Sequence, residues 1–212
     1  WNTPLGLPRG NYTIKANATI VTGETDTLDN QLIDGTVEVL WHDVAVTNVV
    51  ADRTWVYQGH TVNINVTVLN EGDFLETITV TLYYNITANK IIGTQVINLL
   101  PGESQTLIFI WDTTGVEYCN NYTLTAVAII IPPDNDPADN TLADGFIKVR
   151  ILGDISGDDT VDGDDLFVIC TAYGSYPGHP WWDPEADISK DGVVDGDDLY
   201  MVVINYGKGC CT

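Results

Sequence analysis

From Asp43 onward, apolar and polar residues alternate in short runs rather than recurring every third or fourth position. Val62-Asn63-Ile64-Asn65-Val66-Thr67-Val68 shows the pattern in its plainest form. Side chains alternate faces along a strand, so such runs predict strands with one buried face. They lie at Asp43 to Val50, His60 to Leu69, Glu76 to Ile86, Lys90 to Leu100, Ser104 to Trp111, Tyr118 to Ile131 and Thr141 to Val149. Turn residues separate them at Asn70-Glu71-Gly72-Asp73, Pro101-Gly102-Glu103 and Pro132-Pro133-Asp134. About seven short strands with regular turns predict an Ig-like antiparallel β-sandwich over residues 41–150. No segment of helical period precedes residue 160. Beyond it, two apolar runs have helical character, Leu166 to Tyr173 and Leu199 to Tyr206, with Gly174 and Gly207 as stops.

Residues 1–40 repeat the end of that sandwich. Trp1-Asn2-Thr3 matches Trp111-Asp112-Thr113, and Asn11-Tyr12-Thr13-Ile14 matches Asn121-Tyr122-Thr123-Leu124. Further on, Thr27-Leu28-Asp29-Asn30 resembles Pro137-Ala138-Asp139-Asn140, and Asp34-Gly35-Thr36-Val37 resembles Asp144-Gly145-Phe146-Ile147, always at the same offset. Self-similarity of this kind marks an array of like domains. Residues 1–40 correspond to two strands only, which cannot bury a face by themselves. Either the preceding strands lie upstream in a longer protein, or the hairpin pairs with a neighbouring subunit by strand addition. The second arrangement is heterologous and builds a linear polymer.

Residues 151–212 carry the chemistry. Asp154-Ile155-Ser156-Gly157-Asp158-Asp159-Thr160-Val161-Asp162-Gly163-Asp164-Asp165 is answered by Asp187-Ile188-Ser189-Lys190-Asp191-Gly192-Val193-Val194-Asp195-Gly196-Asp197-Asp198. Asp or Ser stands at positions 1, 3, 5, 9 and 12 of each twelve-residue loop, the spacing that wraps oxygen ligands around Ca²⁺, with a backbone carbonyl at position 7. The first set is Asp154, Ser156, Asp158, the Thr160 carbonyl, Asp162 and Asp165. The second is Asp187, Ser189, Asp191, the Val193 carbonyl, Asp195 and Asp198. Crowded carboxylates repel one another without a cation, so two Ca²⁺ ions are expected as part of the fold. Asp159 replaces the usual glycine of the sharp turn, which predicts a left-handed residue there and a weaker first site. Val161 and Val194, at position 8, are expected to pair across the module.

Composition narrows the function. The 212 residues carry 8 Lys+Arg against 30 Asp+Glu, a formal net charge of -22. That excludes nucleic acid and anionic membrane as partners, since both need basic patches. The hydrophobic content of 44% supports a packed core rather than disorder. No apolar run reaches the roughly 18–20 residues of a membrane span. The chain starts at Trp1, as a processed or excerpted segment would. Asn-x-Thr sequons at Asn11, Asn17, Asn65, Asn85 and Asn121 are candidate N-glycan sites, and several fall on the polar phase of a strand. Disulfides are admissible in the extracellular location this implies. Cys170 with Cys210 or Cys211 is the preferred pair, because it would clasp the two ends of the calcium module. Cys119 reads equally well as a buried free thiol. Trp181-Trp182, in the linker between the loops, is a candidate cap on the module or a sugar-binding pair. No nucleophile elbow, zinc helix motif or phosphate loop occurs, so the chain reads as non-enzymatic.

Residues 154–207 resemble a type I dockerin, a pair of calcium loop–helix repeats that in the family often binds a cohesin. The loops match, with Ser at position 3. The recognition positions depart: Gly163-Asp164 and Gly196-Asp197 stand where Ser/Thr pairs are common, and the later Lys-Arg pair is absent. The resemblance therefore implies calcium binding and leaves a cohesin-like partner without its usual contacts. Residues 41–150 resemble the CARDB group of cell-adhesion-related sandwich domains. The carriers are Asp43-Val44-Ala45-Val46, Val62 to Gly72, Gly115 to Tyr122 and Asp139-Asn140. Together these resemblances imply an archaeal or bacterial surface protein. The expected function is an extracellular structural or adhesive subunit of a filament or surface assembly. Its partners would be further copies or neighbouring surface proteins. The alternatives are docking of a surface protein or enzyme onto a cohesin-like scaffold, and carbohydrate binding.

Overall fold

The computed structural model describes residues 7–85 and 90–210. The first repeat match, at Trp1 to Thr3, and the candidate Cys211 lie outside the described residues. So does Ile86, the expected end of the third sandwich strand.

Seven of the ten strands among the described residues occupy the alternating runs. They are β3 (Val44–Ala51), β5 (Thr61–Asn70), β6 (Glu76–Asn85), β7 (Lys90–Leu99), β8 (Ser104–Asp112), β9 (Asn120–Ile129) and β10 (Thr141–Arg150). The remaining three are β1 (Gly10–Asn17), β2 (Gln31–Val39) and the short β4 (Trp55–Tyr57). One sheet has the order β3-β5-β8, and the other β4-β10-β9-β6-β7. The fold is mainly β, and the two sheets share one apolar core. Val62, Ile64, Val66 and Val68 of β5 face Ile78, Val80 and Leu82 of β6, Leu124 and Ala126 of β9, and Ile147 and Val149 of β10, all buried in one cluster. Each Val, Leu or Ile among them contributes about 1.5–3 kcal/mol by leaving water. Trp111, Tyr84 and Tyr122 close one end, with ring centroids 4.6 to 5.6 Å apart.

The sandwich is not wholly antiparallel. β4 runs parallel to β10, pairing Trp55 with Lys148 and Tyr57 with Arg150. Three residues are too few to display an alternation, so this strand has no pattern of its own. Stacking helps hold it: the Arg150 guanidinium lies 4.0 Å from the centre of the Trp55 ring.

β1 and β2 form a separate two-stranded sheet. Its register is that of β9–β10. Thr13 pairs with Thr36 and Lys15 with Ile33 across a bulge, just as Thr123 pairs with Phe146 and Thr125 with Ala143. Gly35 and Gly145 sit in the two bulges with the same φ of 71°. Ala18 and Ala128 donate to the Asn30 and Asn140 carbonyls, both at 2.8 Å.

Two helices follow, α1 (Gly163–Ala172) and α2 (Gly196–Asn205). They start earlier than the apolar runs because Asp162 and Asp195 cap them. Gly174 and Gly207 follow their ends with φ of 78° and 82°. The helices pack on the sandwich through a second core: Ile151, Ile155, Val161, Ile169, Ile188, Val194 and Val202 with Tyr57 of β4. Gly153, at φ 100°, lets the chain pass closely over α2; a Cβ there would lie 3.1 Å from the Val202 Cα.

Candidate metal centre

The two acidic loops have the same backbone path. Positions 4 and 6 are left-handed in both: Gly157 (φ 78°) and Asp159 (73°), then Lys190 (63°) and Gly192 (90°). The left-handed turn expected at Asp159 is present, and its side chain has a use. Lys148 of β10 approaches Asp159 Oδ1 to 2.6 Å, tying the first loop to the sandwich. Position 4 of that loop is also pressed against the sandwich, since a Cβ on Gly157 would lie 2.7 Å from Arg150 Nη1.

The carboxylates at position 12 organise each loop. Asp165 and Asp198 are fully buried. Asp165 accepts from the Ser156 and Asp162 amides at 2.8 and 2.9 Å. Asp198 accepts from Ser189 and Asp195 at 2.8 and 2.9 Å. With the position-9 carboxylates, which accept from Asp164 N and Asp197 N at 2.9 Å, they complete a capping box at the start of each helix. Four of the expected ligands thus also cap a helix, a role the calcium pattern does not require.

The remaining expected ligands differ between the loops. In the first, Asp154 is fully buried; Oδ1 accepts from Gly157 N at 2.8 Å, and Oδ2 has no partner in the protein. Burial pushes its carboxyl above the usual range. Asp158 goes the other way, because Thr160 donates to it from both hydroxyl (2.7 Å) and amide (2.9 Å). Asp158 and Asp162 come together with Asp164, their ligand oxygens within 4.8 Å of one another. Asp164 was not among the expected ligands. In the second loop Asp187 accepts from Asp191 N and Gly192 N at 3.2 and 3.0 Å, and Asp191 accepts from Val193 N at 2.9 Å. Ser189 Oγ donates to Asp187 at 3.4 Å. No comparable carboxylate triad occurs in this loop among the described residues. The donors are oxygen throughout, which suits a hard cation such as Ca²⁺ rather than Zn²⁺. The partnerless Asp154 Oδ2 and the triad fit such an ion.

Two expectations are corrected. Val161 and Val194 are both buried in the module core, but their backbones do not pair with each other. Val161 exchanges hydrogen bonds with Gly207 and Lys208 after α2, and Val194 with Gly174 and Ser175 after α1. Each loop is therefore sewn to the exit of the other helix. The disulfide joins Cys119 to Cys210, with Cα atoms 5.6 Å apart, and Cys170 is a free, exposed cysteine on α1. The clasp runs between module and sandwich rather than between the module's own ends. Cys170 lies on the solvent side of its helix, whereas Cys119 lies at the mouth of β9, against the second core.

Asn11, Asn17, Asn65 and Asn121 are exposed, and Asn85 is half-buried. Thr87 of the Asn85 sequon lies outside the described residues. Trp182 packs on the module core, while Trp181 is 66% exposed beside His179. A second acidic group, Asp43, Glu71 and Asp139, gathers at the far end of the sandwich and was not expected from the sequence. Its members come from three separated segments, so no local spacing announces it. Burial first, then Asp134, Asp139, Glu71 and Asp136, push the Asp43 carboxyl up to about 6. No helix is long and apolar enough to cross a membrane among the described residues.

No family model matches the chain, and neither does any curated protein. Solved structures match part of it. A CARDB domain from Pyrococcus furiosus, in complex with di-metal ions, is 18% identical at a TM-score of 0.42, over 51% of this chain and 89% of that one. A β-glucosidase from Erythrobacter marinus is 18% identical at a TM-score of 0.40, over 50% of this chain and 15% of the enzyme. A cycloisomaltooligosaccharide glucanotransferase from Paenibacillus gives 18% and 0.40, over 52% of this chain and 14% of the enzyme.

Proposed function

We propose that this chain is an extracellular structural or adhesive subunit of a cell-surface assembly, stiffened by calcium and joined to neighbouring copies through its N-terminal hairpin. The reading is non-enzymatic. The observation that carries it is the hairpin itself. β1–β2 has the register and bulge of β9–β10, yet Ile14, Leu32 and Ile33 are 42%, 62% and 59% exposed. A strand pair built for a sandwich, with its apolar side chains in water, suits a further sheet, supplied by strands upstream in a longer chain or, as proposed here, by another copy. Asp154, Ser156, Asp158, the Thr160 carbonyl, Asp162 and Asp165 would hold one Ca²⁺. Asp187, Ser189, Asp191, the Val193 carbonyl, Asp195 and Asp198 would hold the second. Bound calcium supplies positive charge that offsets the crowded carboxylates. The chain's own part is to fix those loops against β4 and β10 through Lys148, Arg150 and the Cys119–Cys210 bond. N-linked glycans on Asn11, Asn17, Asn65, Asn85 and Asn121 would cover polar faces of the sheets.

The test is electron microscopy and sedimentation of the purified chain with calcium and with chelator, beside a variant lacking residues 1–40. Ordered polymers that need the hairpin and lose integrity in chelator are expected. A chain that stays monomeric at all concentrations, with the hairpin amides unprotected from exchange, would overturn the reading. Docking on a cohesin-like scaffold is favoured by one feature: the helices expose aromatic side chains at matching places, Phe167 (72%) and Tyr200 (63%). A pull-down with cohesin domains separates this from self-assembly. Carbohydrate binding rests on exposed Tyr176 and Trp181 on either side of half-buried His179, with neighbouring rings 5.5 Å apart.

A further inference from the structure

We infer that Asp43, Glu71 and Asp139 form a third cation site, for a hard divalent ion of the calcium type, at the hairpin end of the sandwich. One carboxylate oxygen from each residue lies within 4.8 Å of the others. Ca²⁺ holds oxygens at about 2.3–2.6 Å, so ligands on opposite sides of one ion stand about 4.8 Å apart. The three oxygens therefore fit a single ion as they are.

Proximity of acids alone would mean little on so acidic a chain. The decisive feature is Asp43, which is 8% exposed while its Oδ1, completely buried, has no hydrogen-bond partner in the protein. Asp139 Oδ1 is likewise buried and without a partner. A buried carboxylate is costly unless it is paired or bound to metal. Its electrostatic neighbours do not pair it, since Asp134, Asp139, Glu71 and Asp136 are all acids. The nearby basic groups are engaged elsewhere: His42 Nδ1 lies 2.6 Å from Glu76, and Arg9 pairs with Asp73. With no nitrogen or sulfur in the set, Ca²⁺ suits it better than Zn²⁺. Exposed Glu71 leaves the remaining coordination positions open to solvent.

The surrounding backbone holds the three acids in place. Asp134 accepts from Val44 N at 2.9 Å and from Asp136 N at 2.7 Å, which wraps the loop before β10 around Asp43. Glu71 N and Gly72 N both donate to the Asp43 carbonyl at 3.0 Å. A side chain at Gly72 would meet Asp43 N and Trp41 O at 2.8 Å, so the β5–β6 turn sits directly on the β2–β3 link. The same link holds the hairpin: Trp41 N donates to Asp73 at 2.9 Å, and Trp41 Nε1 to the Leu7 carbonyl at 3.1 Å. An ion here would bind three segments together at the root of the hairpin and stiffen its angle to the sandwich.

The experiment is calcium titration of the full chain by calorimetry, with hydrogen exchange read at residues 41–45, 70–73 and 132–140. Calcium is expected to slow exchange in all three segments. The variant Asp43→Asn/Asp139→Asn should lose that protection and one bound ion per chain, while residues 154–165 and 187–198 stay protected. Asp158→Asn/Asp191→Asn should do the reverse. Glu71→Gln, at an exposed position where folding is not at stake, should weaken binding at this site about tenfold or more, in line with what the loss of a single group at a metal site costs. Calcium-independent exchange in the three segments of the wild-type chain would overturn the site. So would unchanged protection in Glu71→Gln together with Asp43→Asn/Asp139→Asn. Both readouts are made on the single chain, so a failure of assembly leaves them unaffected.

Discussion

The β1–β2 hairpin and the β9–β10 pair are one design in two settings. Register, bulge and closing hydrogen bonds coincide. Even the tyrosines agree: Tyr12 and Tyr122 both donate at 2.7 Å to a carbonyl shortly upstream, of Pro8 and Glu117. Burial separates them. Leu124 is 1% exposed between the sheets, and its counterpart Ile14 is 42% exposed. Ile147 is 1% exposed, while its counterpart Val37 is half-buried. The twist and register of a strand pair are thus carried by its own residues, whereas its share of a core depends on neighbours. β9–β10 has β6 on one side and β4 on the other; among the described residues β1–β2 has no such neighbour.

The largest expected effect tests that difference directly. Leu124→Ala should destabilise the sandwich by about 2–5 kcal/mol, the usual cost of a core truncation, and Ile14→Ala by about 0.5 kcal/mol or less in the free chain. Denaturant midpoints measure both. A cost at Ile14 comparable to that at Leu124 would mean that the hairpin is already packed in the single chain. An Ile14 cost that appears only in assembled material would place its apolar face in the contact between copies.

The next effect concerns how each pair is anchored. Cys119 precedes β9 at the place where Arg9 precedes β1. The first makes a covalent bond to Cys210, the second an ion pair with Asp73 that leaves the Arg9 side chain 51% exposed. Removing the disulfide with Cys119→Ala/Cys210→Ala should cost about 2–5 kcal/mol. Arg9→Ala should cost no more than about 1 kcal/mol, since exposed pairs contribute little. Thermal unfolding in chelator isolates both from calcium. Equal losses would show that the hairpin end is held as firmly as the module end.

Calcium removal is the third test. A site held at about a hundred times its Kd contributes about 2.7 kcal/mol by mass action. Chelator should therefore lower the stability of α1, α2 and their loops by that order, and raise exchange at the root of the β1–β2 hairpin through the proposed Asp43 site. Loss spread evenly over the chain, or none, would show that the proposed ions do not act locally on the segments that hold them.

These contrasts also show which parts of the molecule were legible in the sequence. The seven long strands announce themselves because half of each faces water and half faces the core. β4 does not, because its partner β10 is far away in the sequence and three residues carry no period. The two acidic loops were legible because their carboxylates fall within one short stretch each. Asp43, Glu71 and Asp139 were not, since only the folded sheets bring them together. The disulfide was misread for the same reason. The distance between Cys119 and Cys210 is set by how the module seats on the sandwich, which local spacing does not encode. Asp162, Asp165, Asp195 and Asp198 were expected as ligands and missed as caps, because one residue type can serve both roles.

The smallest effect sharpens the opening comparison most. Gly35 and Gly145 share a left-handed φ of 71°, and a Cβ at either would meet nothing within 4 Å. Alanine therefore brings no clash at either site, only the backbone cost of that conformation, about 1–2 kcal/mol. Gly35→Ala should raise local opening of the hairpin, and Gly145→Ala should lower global stability, by the same amount. Exchange of the β1–β2 amides measures the first, and denaturant unfolding the second. Equal costs would mean that each bulge is a property of the strand pair itself, present whether or not a core lies beneath it. A much larger cost at Gly145 would mean that the sandwich imposes the bulge there, and that the hairpin's copy of it needs a covering sheet to explain it.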